Sequence, residues 1–147
     1  MPKQIYDFNM SINPKITAVW KNCLTKFKIF NLTQFDKIVF LDADIMILKN
    51  LDHLFEKPHM TSALDGEYFN IWPDWDHFNS GILVIEPSEQ LFNDILQFIN
   101  NFIPEFKKET PLLVYADQEI LNLYYSDWPE RKELHLNKYY DVFPPYI

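Results

Sequence analysis

Lys37-Ile38-Val39-Phe40-Leu41-Asp42-Ala43-Asp44 is the stretch on which the fold of this chain turns. Its apolar part is continuous and rich in β-branched and aromatic residues. That pattern predicts a strand buried on both faces of a sheet, as in parallel α/β architectures. The two carboxylates come directly after it, at the end where such sheets bind ligands. Separated by one residue, Asp42 and Asp44 point the same way if the extended pattern persists. A pair so placed can share a hard divalent cation, since Mg²⁺ and Mn²⁺ prefer oxygen ligands. Such a cation would bridge to a diphosphate and neutralise its charge.

Upstream, Ile16, Val19, Trp20, Cys23, Leu24, Phe27 and Phe30 follow the spacing of one helix face, predicting a helix from Pro14 to about Leu32. Downstream, the apolar run Ile45-Met46-Ile47-Leu48 precedes a short helix over Leu51 to Phe55. Thr61 to Leu64 reads as a strand ending at the turn Asp65-Gly66, and Glu67 to Phe78 as an aromatic surface loop. Ile82 to Ile85 is a short buried strand. Pro87-Ser88 opens a helix with Leu91, Phe92, Ile95, Ile99 and Phe102 on its apolar face. Asp117 can N-cap a further helix carrying Ile120, Leu121 and Tyr124. Strands alternating with helices predict a layered α/β fold with a largely parallel central sheet. With no repeat and no linker, the expectation is one domain over residues 1–147.

Composition narrows the function classes. The 147 residues are 48% hydrophobic and 23% charged, the balance of a chain that folds. Aromatic residues reach 17%, enough to supply both a core and flat faces for sugar rings. A net charge of −8 argues against a nucleic-acid partner, which needs clustered Lys and Arg. An acidic chain that handles a nucleotide needs a divalent cation between its carboxylates and the phosphates. Cys23 is the single cysteine, reads as a small buried hydrophobe, and cannot make an intrachain disulfide. No stretch approaches the about 20 apolar residues of a membrane span, and Met1 to Met10 lack a leader's apolar run. The expected location is therefore the cytoplasm, with the Golgi as the alternative if an anchor precedes this chain.

The carboxylate pair also fits a second enzyme class. Phe40-Leu41-Asp42-Ala43-Asp44 resembles the first motif of haloacid-dehalogenase-type phosphatases, with Asp42 as nucleophile and Asp44 as acid/base. That family has Thr or Val where this chain has Met46, and its paired-Asp motif follows a strand. Asp74 and Asp76 lie instead in a loop of Trp and Pro.

Several ordered blocks together resemble the glycogenin-like family 8 glycosyltransferases. They are Leu24-Thr25-Lys26 with Asn31 to Lys37, then Val39 to Asp44 with Leu51 to Phe55. Phe78-Asn79-Ser80-Gly81 with Glu86-Pro87-Ser88 follows, and then Ala116-Asp117-Gln118 with Ile120-Leu121-Asn122. The resemblance implies a nucleotide-diphospho-sugar transferase (GT-A, Rossmann-like) domain that transfers a hexose from a UDP-sugar with retention of configuration. The acceptor would be a carbohydrate or a protein. Asp42 and Asp44 would hold Mn²⁺, with Mg²⁺ as the alternative, and the donor diphosphate. Lys26 would lie near the donor's sugar and phosphates, and Asp65, Asn79 and Ser80 would face the transferring sugar. Asp117 and Gln118 would face its anomeric carbon and hydroxyls. Elsewhere a solvated helix flank would account for Lys26, a turn for Asn79 and Ser80, and an N-cap for Asp117.

The chain departs from that family at both ends. Nothing before Pro14 resembles the base-binding strand with its Thr and Tyr, and no segment matches the His-x-x-Gly that supplies a third metal ligand. His53, His59, His77 and His135 do not match that histidine, and Glu119 stands where the family has Gly. The expectation is a partial domain lacking those two segments. The alternative is a non-catalytic remnant that binds sugar or a partner through the loop Tyr68 to Phe78.

Overall fold

The computed structural model describes residues 23–65, 76–101 and 116–140. The predicted helix start at Pro14, Gly66 with the aromatic loop as far as Trp75, and Phe102 lie outside the described residues. The chain divides into two compact units, one of residues up to Gln34 with Pro87–Tyr124, the other of Phe35–Glu86 with the residues from Tyr125 onward.

The first unit is helical. Cys23–Asn31 forms a 3₁₀ helix, not the α-helix that the longer apolar pattern suggests. The burial pattern gives the reason. Leu24, Phe27 and Phe30 are buried, Cys23, Lys26 and Ile29 half-buried, and Thr25, Lys28 and Asn31 exposed. Each face repeats every third residue, the period of a 3₁₀ helix, in which side chains three apart eclipse. Helix α1, Glu89–Asn101, buries Ile95 and Ile99, and helix α2, Asp117–Tyr124, buries Ile120 and Leu121. Both pack on the 3₁₀ helix. Ser88 caps α1, its Oγ accepting the Leu91 N–H at 3.3 Å. At α2 the helix begins at Asp117 itself, so the predicted N-cap falls one residue earlier, at Ala116. The Ala116 N–H is taken up at 2.9 Å by the Glu119 carboxylate reaching back, half of a capping box.

The second unit holds the strands: β1 (Ile38–Leu41), β2 (Ser62–Ala63), β3 (Ile82–Ile85) and β4 (His135–Leu136). β1 pairs antiparallel with β3, Leu41 opposite Ile82, and β2 pairs parallel with β4. The architecture is α/β. Among the described residues the longest ladder is antiparallel, against the expectation of a largely parallel sheet. A run of apolar residues signals burial on both faces but not strand direction, because parallel and enclosed antiparallel strands share that pattern. Within this ladder β3 is buried throughout, while β1 is half-buried along its length. β3 has partners on both edges: β1 on one, and on the other Met60 N–H to Val84 O at 2.7 Å and Val84 N–H to Thr61 O at 3.0 Å. Leu54, Ala63, Ile82, Val84 and Leu136 form the core here, with Leu54 supplied by the 3₁₀ helix Asp52–Glu56. No helix among the described residues is long and apolar enough to cross a membrane.

His59 ties the back of this unit together and sets its response to acid. Its Nδ1 accepts the Glu86 N–H at 3.0 Å, which leaves Nε2 to carry the hydrogen toward the Tyr125 hydroxyl at 3.0 Å. Burial pushes the imidazole below its ordinary 6.5; the Glu86 carboxylate opposes this, and Arg131 and Lys37 add to it. In the unfolded chain the ring takes its proton near pH 6.5, while the folded chain resists until lower pH. His59 therefore contributes stability fully present above pH 6.5 and lost as the pH falls from there toward the folded value. The slope reaches at most about 1.4 kcal/mol per pH unit for one proton. Urea midpoints between pH 7.5 and 5.5 should fall for the native chain and change less in His59→Gln; equal slopes would overturn this.

Candidate functional site

Asp42 follows β1 directly. Its N–H donates to Gly81 O at 2.8 Å, and its own carbonyl accepts the Ile45 N–H at 3.1 Å. The strand thus ends in a tight turn that carries both carboxylates. Asp42 is half-buried and Asp44 exposed. The apolar run beyond is not a second strand: Met46, Ile47 and Leu48 are 78%, 59% and 69% exposed.

The residues from Phe78 to Gly81 approach this turn from the other side. Leu64 and Phe78 form an antiparallel bridge, Asp65 N–H donates to His77 O at 2.8 Å, and Asn79 N–H donates to Ala63 O at 2.9 Å. The Asn79 side chain then folds over its own turn, Oδ1 accepting the Gly81 N–H at 2.6 Å. A Cβ at Gly81 would lie 2.8 Å from Asn79 Oδ1 and 3.5 Å from Asp42 Oδ2. A side chain at position 81 would crowd the Asn79 amide oxygen, so glycine is what lets that amide close over the turn on the face that the Asp42 carboxylate also borders. Ser80 is buried beside them, and Asp65 is half-buried at the start of the turn. Residues 12 to 39 apart in sequence thus share one corner of the second unit.

Lys26, Asp117 and Gln118 belong to the first unit. Lys26 Nζ and Asp117 Oδ2 lie 2.5 Å apart, each side chain 9% exposed. The half-buried face of the 3₁₀ helix aims Lys26 at the first turn of α2, where Asp117 also meets the positive end of that helix. Breaking such a pair from one side leaves an uncompensated charge away from water. Lys26 is thus not a solvated helix flank. Gln118 is half-buried, and its carbonyl accepts from Asn122 Nδ2 at 3.0 Å.

The chemistry of the donors suits a hard cation at Asp42 and Asp44, because both are carboxylates and one stands free in solvent. Among the described residues no group of three or more His, Cys, Asp or Glu is gathered to hold a metal. Were a cation held there, the two carboxylates would supply only part of its coordination shell, the rest falling to a ligand's oxygens or water, as Mg²⁺ sites use phosphates.

Two residues of this corner were not legible as functional in the sequence. Gly81 reads there as part of a turn. Ser62 reads as an ordinary strand residue, although a hydroxyl inside a strand otherwise expected to be buried is a signal that something must accept its proton.

A strand ending in paired carboxylates, faced by an Asn-Ser-Gly turn, is a candidate nucleotide-sugar site. The glycosyl transferase family 8 model matches residues 2–147, and the chain belongs to that family. The match takes in the stretch before Pro14, where motif reading found no counterpart. The chain is 36% identical to inositol phosphorylceramide glucuronosyltransferase 1 of Arabidopsis thaliana over 79% of its own length and 18% of the relative's. It is 38% identical to glycogenin-1 of Mus musculus over 71% of its length and 27% of the relative's. It is 35% identical to the putative UDP-glucuronate:xylan alpha-glucuronosyltransferase 4 of Arabidopsis thaliana over 80% of its length and 18% of the relative's. The chain thus spans about a fifth to a quarter of the curated relatives it matches. With the family established, the phosphatase reading of Asp42 and Asp44 is set aside.

Proposed function

We propose that this chain carries the donor-sugar and metal site of a retaining glycosyltransferase that moves a hexose, or its uronic acid, from a UDP-sugar to a carbohydrate or protein acceptor. The observation that carries the reading is that the Asp42 carboxylate and the Asn79 amide both border Gly81 in a chain of this family. Asp42 and Asp44 hold the cation, Mn²⁺ or alternatively Mg²⁺, together with the diphosphate. When bound, the cation neutralises the diphosphate and makes the nucleoside diphosphate a better leaving group. Asn79 and Ser80 offer an amide and a hydroxyl to the hydroxyls of the transferring sugar, with Asp65 at the edge of the same turn. For the first unit, the family resemblance would give Lys26 a role toward the donor's phosphates and Asp117 and Gln118 roles toward the anomeric carbon. The uronic acid enters because two of the relatives are named as glucuronosyltransferases.

Calorimetric titration with UDP-glucose and UDP-glucuronate, each with and without Mn²⁺, tests this reading. Binding should require Mn²⁺, and the tighter donor identifies the sugar. Tight binding in the absence of the cation would contradict the site, as would no binding of either nucleotide under any condition.

A further inference from the structure

Ser62 is fully buried in β2, and its hydroxyl reaches two carbonyl oxygens on one neighbouring turn, Asn79 O at 2.6 Å and Ile82 O at 2.8 Å. A hydroxyl has one proton to give, so it serves these two acceptors by turns and holds both ends of the Asn79-to-Ile82 segment with one group. From the opposite side Asp42 N–H binds Gly81 O within the same segment. Asn79 N–H is meanwhile fixed to Ala63 O, the residue next to Ser62. The turn that carries Asn79 and Ser80 is thus gripped between β2 and the carboxylate turn after β1. An alanine at position 62 would fit the space and leave the two carbonyls without that donor.

We infer that Ser62 is a positioning residue: its hydroxyl fixes the Asn79–Gly81 turn so that the Asn79 amide stays over Gly81, on the face that the Asp42 carboxylate borders. Its consequence for ligand binding rests on the reading in "Proposed function", but its structural part does not. The chain contains only two glycines, Gly66 and Gly81. Selective ¹⁵N-glycine labelling therefore gives two amide signals, and Gly66→Ala removes one of them for assignment. In Ser62→Ala the Gly81 amide should shift and exchange with solvent about fivefold faster, the factor one ordinary hydrogen bond is worth, while the Gly66 signal stays in place. Ser62→Thr, which keeps the hydroxyl, should restore the native Gly81 signal. With UDP-sugar and Mn²⁺ present, Ser62→Ala should weaken nucleotide-sugar binding by a similar factor and leave Mn²⁺ binding alone unchanged, a split that general destabilisation would not produce. If Ser62→Ala does not fold, Ser62→Cys, close in size and a weaker donor, should show the same Gly81 change in smaller measure. An unmoved Gly81 amide in a folded Ala or Cys variant overturns the inference. If the native chain binds no nucleotide sugar, the proposed function fails, and the glycine signals still decide the role of Ser62.

Discussion

Asp42→Asn combined with Asp44→Asn is expected to abolish cation-dependent binding of the nucleotide sugar while leaving the fold in place. Both changes keep side-chain size and remove charge, and the affected groups are half-buried and exposed, not core. Loss even of a group that only orients a metal ligand commonly costs about 10–100-fold in affinity or activity. Removing both carboxylates should therefore exceed about 100-fold. The single variants should separate the two roles. Asp42 is held on its backbone by Gly81 and Ile45, so its carboxylate has less freedom to move away than that of Asp44. Titration of Mn²⁺ followed by the nucleotide sugar, alongside thermal melts, measures both effects. A double variant that still binds the sugar nucleotide only with Mn²⁺ would remove the metal from this turn.

The largest effect on stability should come from Trp128. It is buried, tilted against Phe78 at 5.2 Å between ring centres and stacked on His135 at 4.0 Å. Its Nε1–H donates to Met60 O at 2.9 Å. Met60 holds a φ of 62°, a left-handed backbone that costs a residue with a side chain on the order of 1–3 kcal/mol. Two hydrogen bonds offset that cost, the one from Trp128 and the Met60 N–H to Val84 O at 2.7 Å. Trp128→Ala should lose about 3–5 kcal/mol, a large share of the about 5–15 kcal/mol a domain has in total. Trp128→Phe keeps the ring but orphans the Met60 carbonyl, at about 1–3 kcal/mol. Urea denaturation followed by far-ultraviolet circular dichroism reads both, since three other tryptophans complicate fluorescence. A Phe variant as stable as the native chain would show that the indole donor does not hold Met60.

Much of this was readable residue by residue. The apolar run before Asp42 gives β1, and Ile82 to Ile85 gives β3 with the full burial expected. The periodic faces of α1 and α2 give those helices to within a residue or two at their ends. These features depend on neighbours along the chain, and local periodicity records them. The ordered blocks from Leu24 to Asn122 also carried the family, because chemistry repeats in a fixed order even when no single motif is decisive.

What tertiary structure alone decided lies in contacts distant in sequence. The antiparallel direction of β1 against β3 is invisible in composition, since burial on two faces demands apolar residues whichever way a strand runs. The 3₁₀ form of Cys23–Asn31 is set by which face finds a partner in α1 and α2, not by propensity. The pairing of Lys26 with Asp117 and the grip of Ser62 on the Asn79 turn join residues 91 and 17 positions apart. A sequence states which groups a chain possesses and how they alternate locally. Folding decides which of them share a hydrogen bond or a charge partner, because those energies depend on distances that only the assembled backbone fixes.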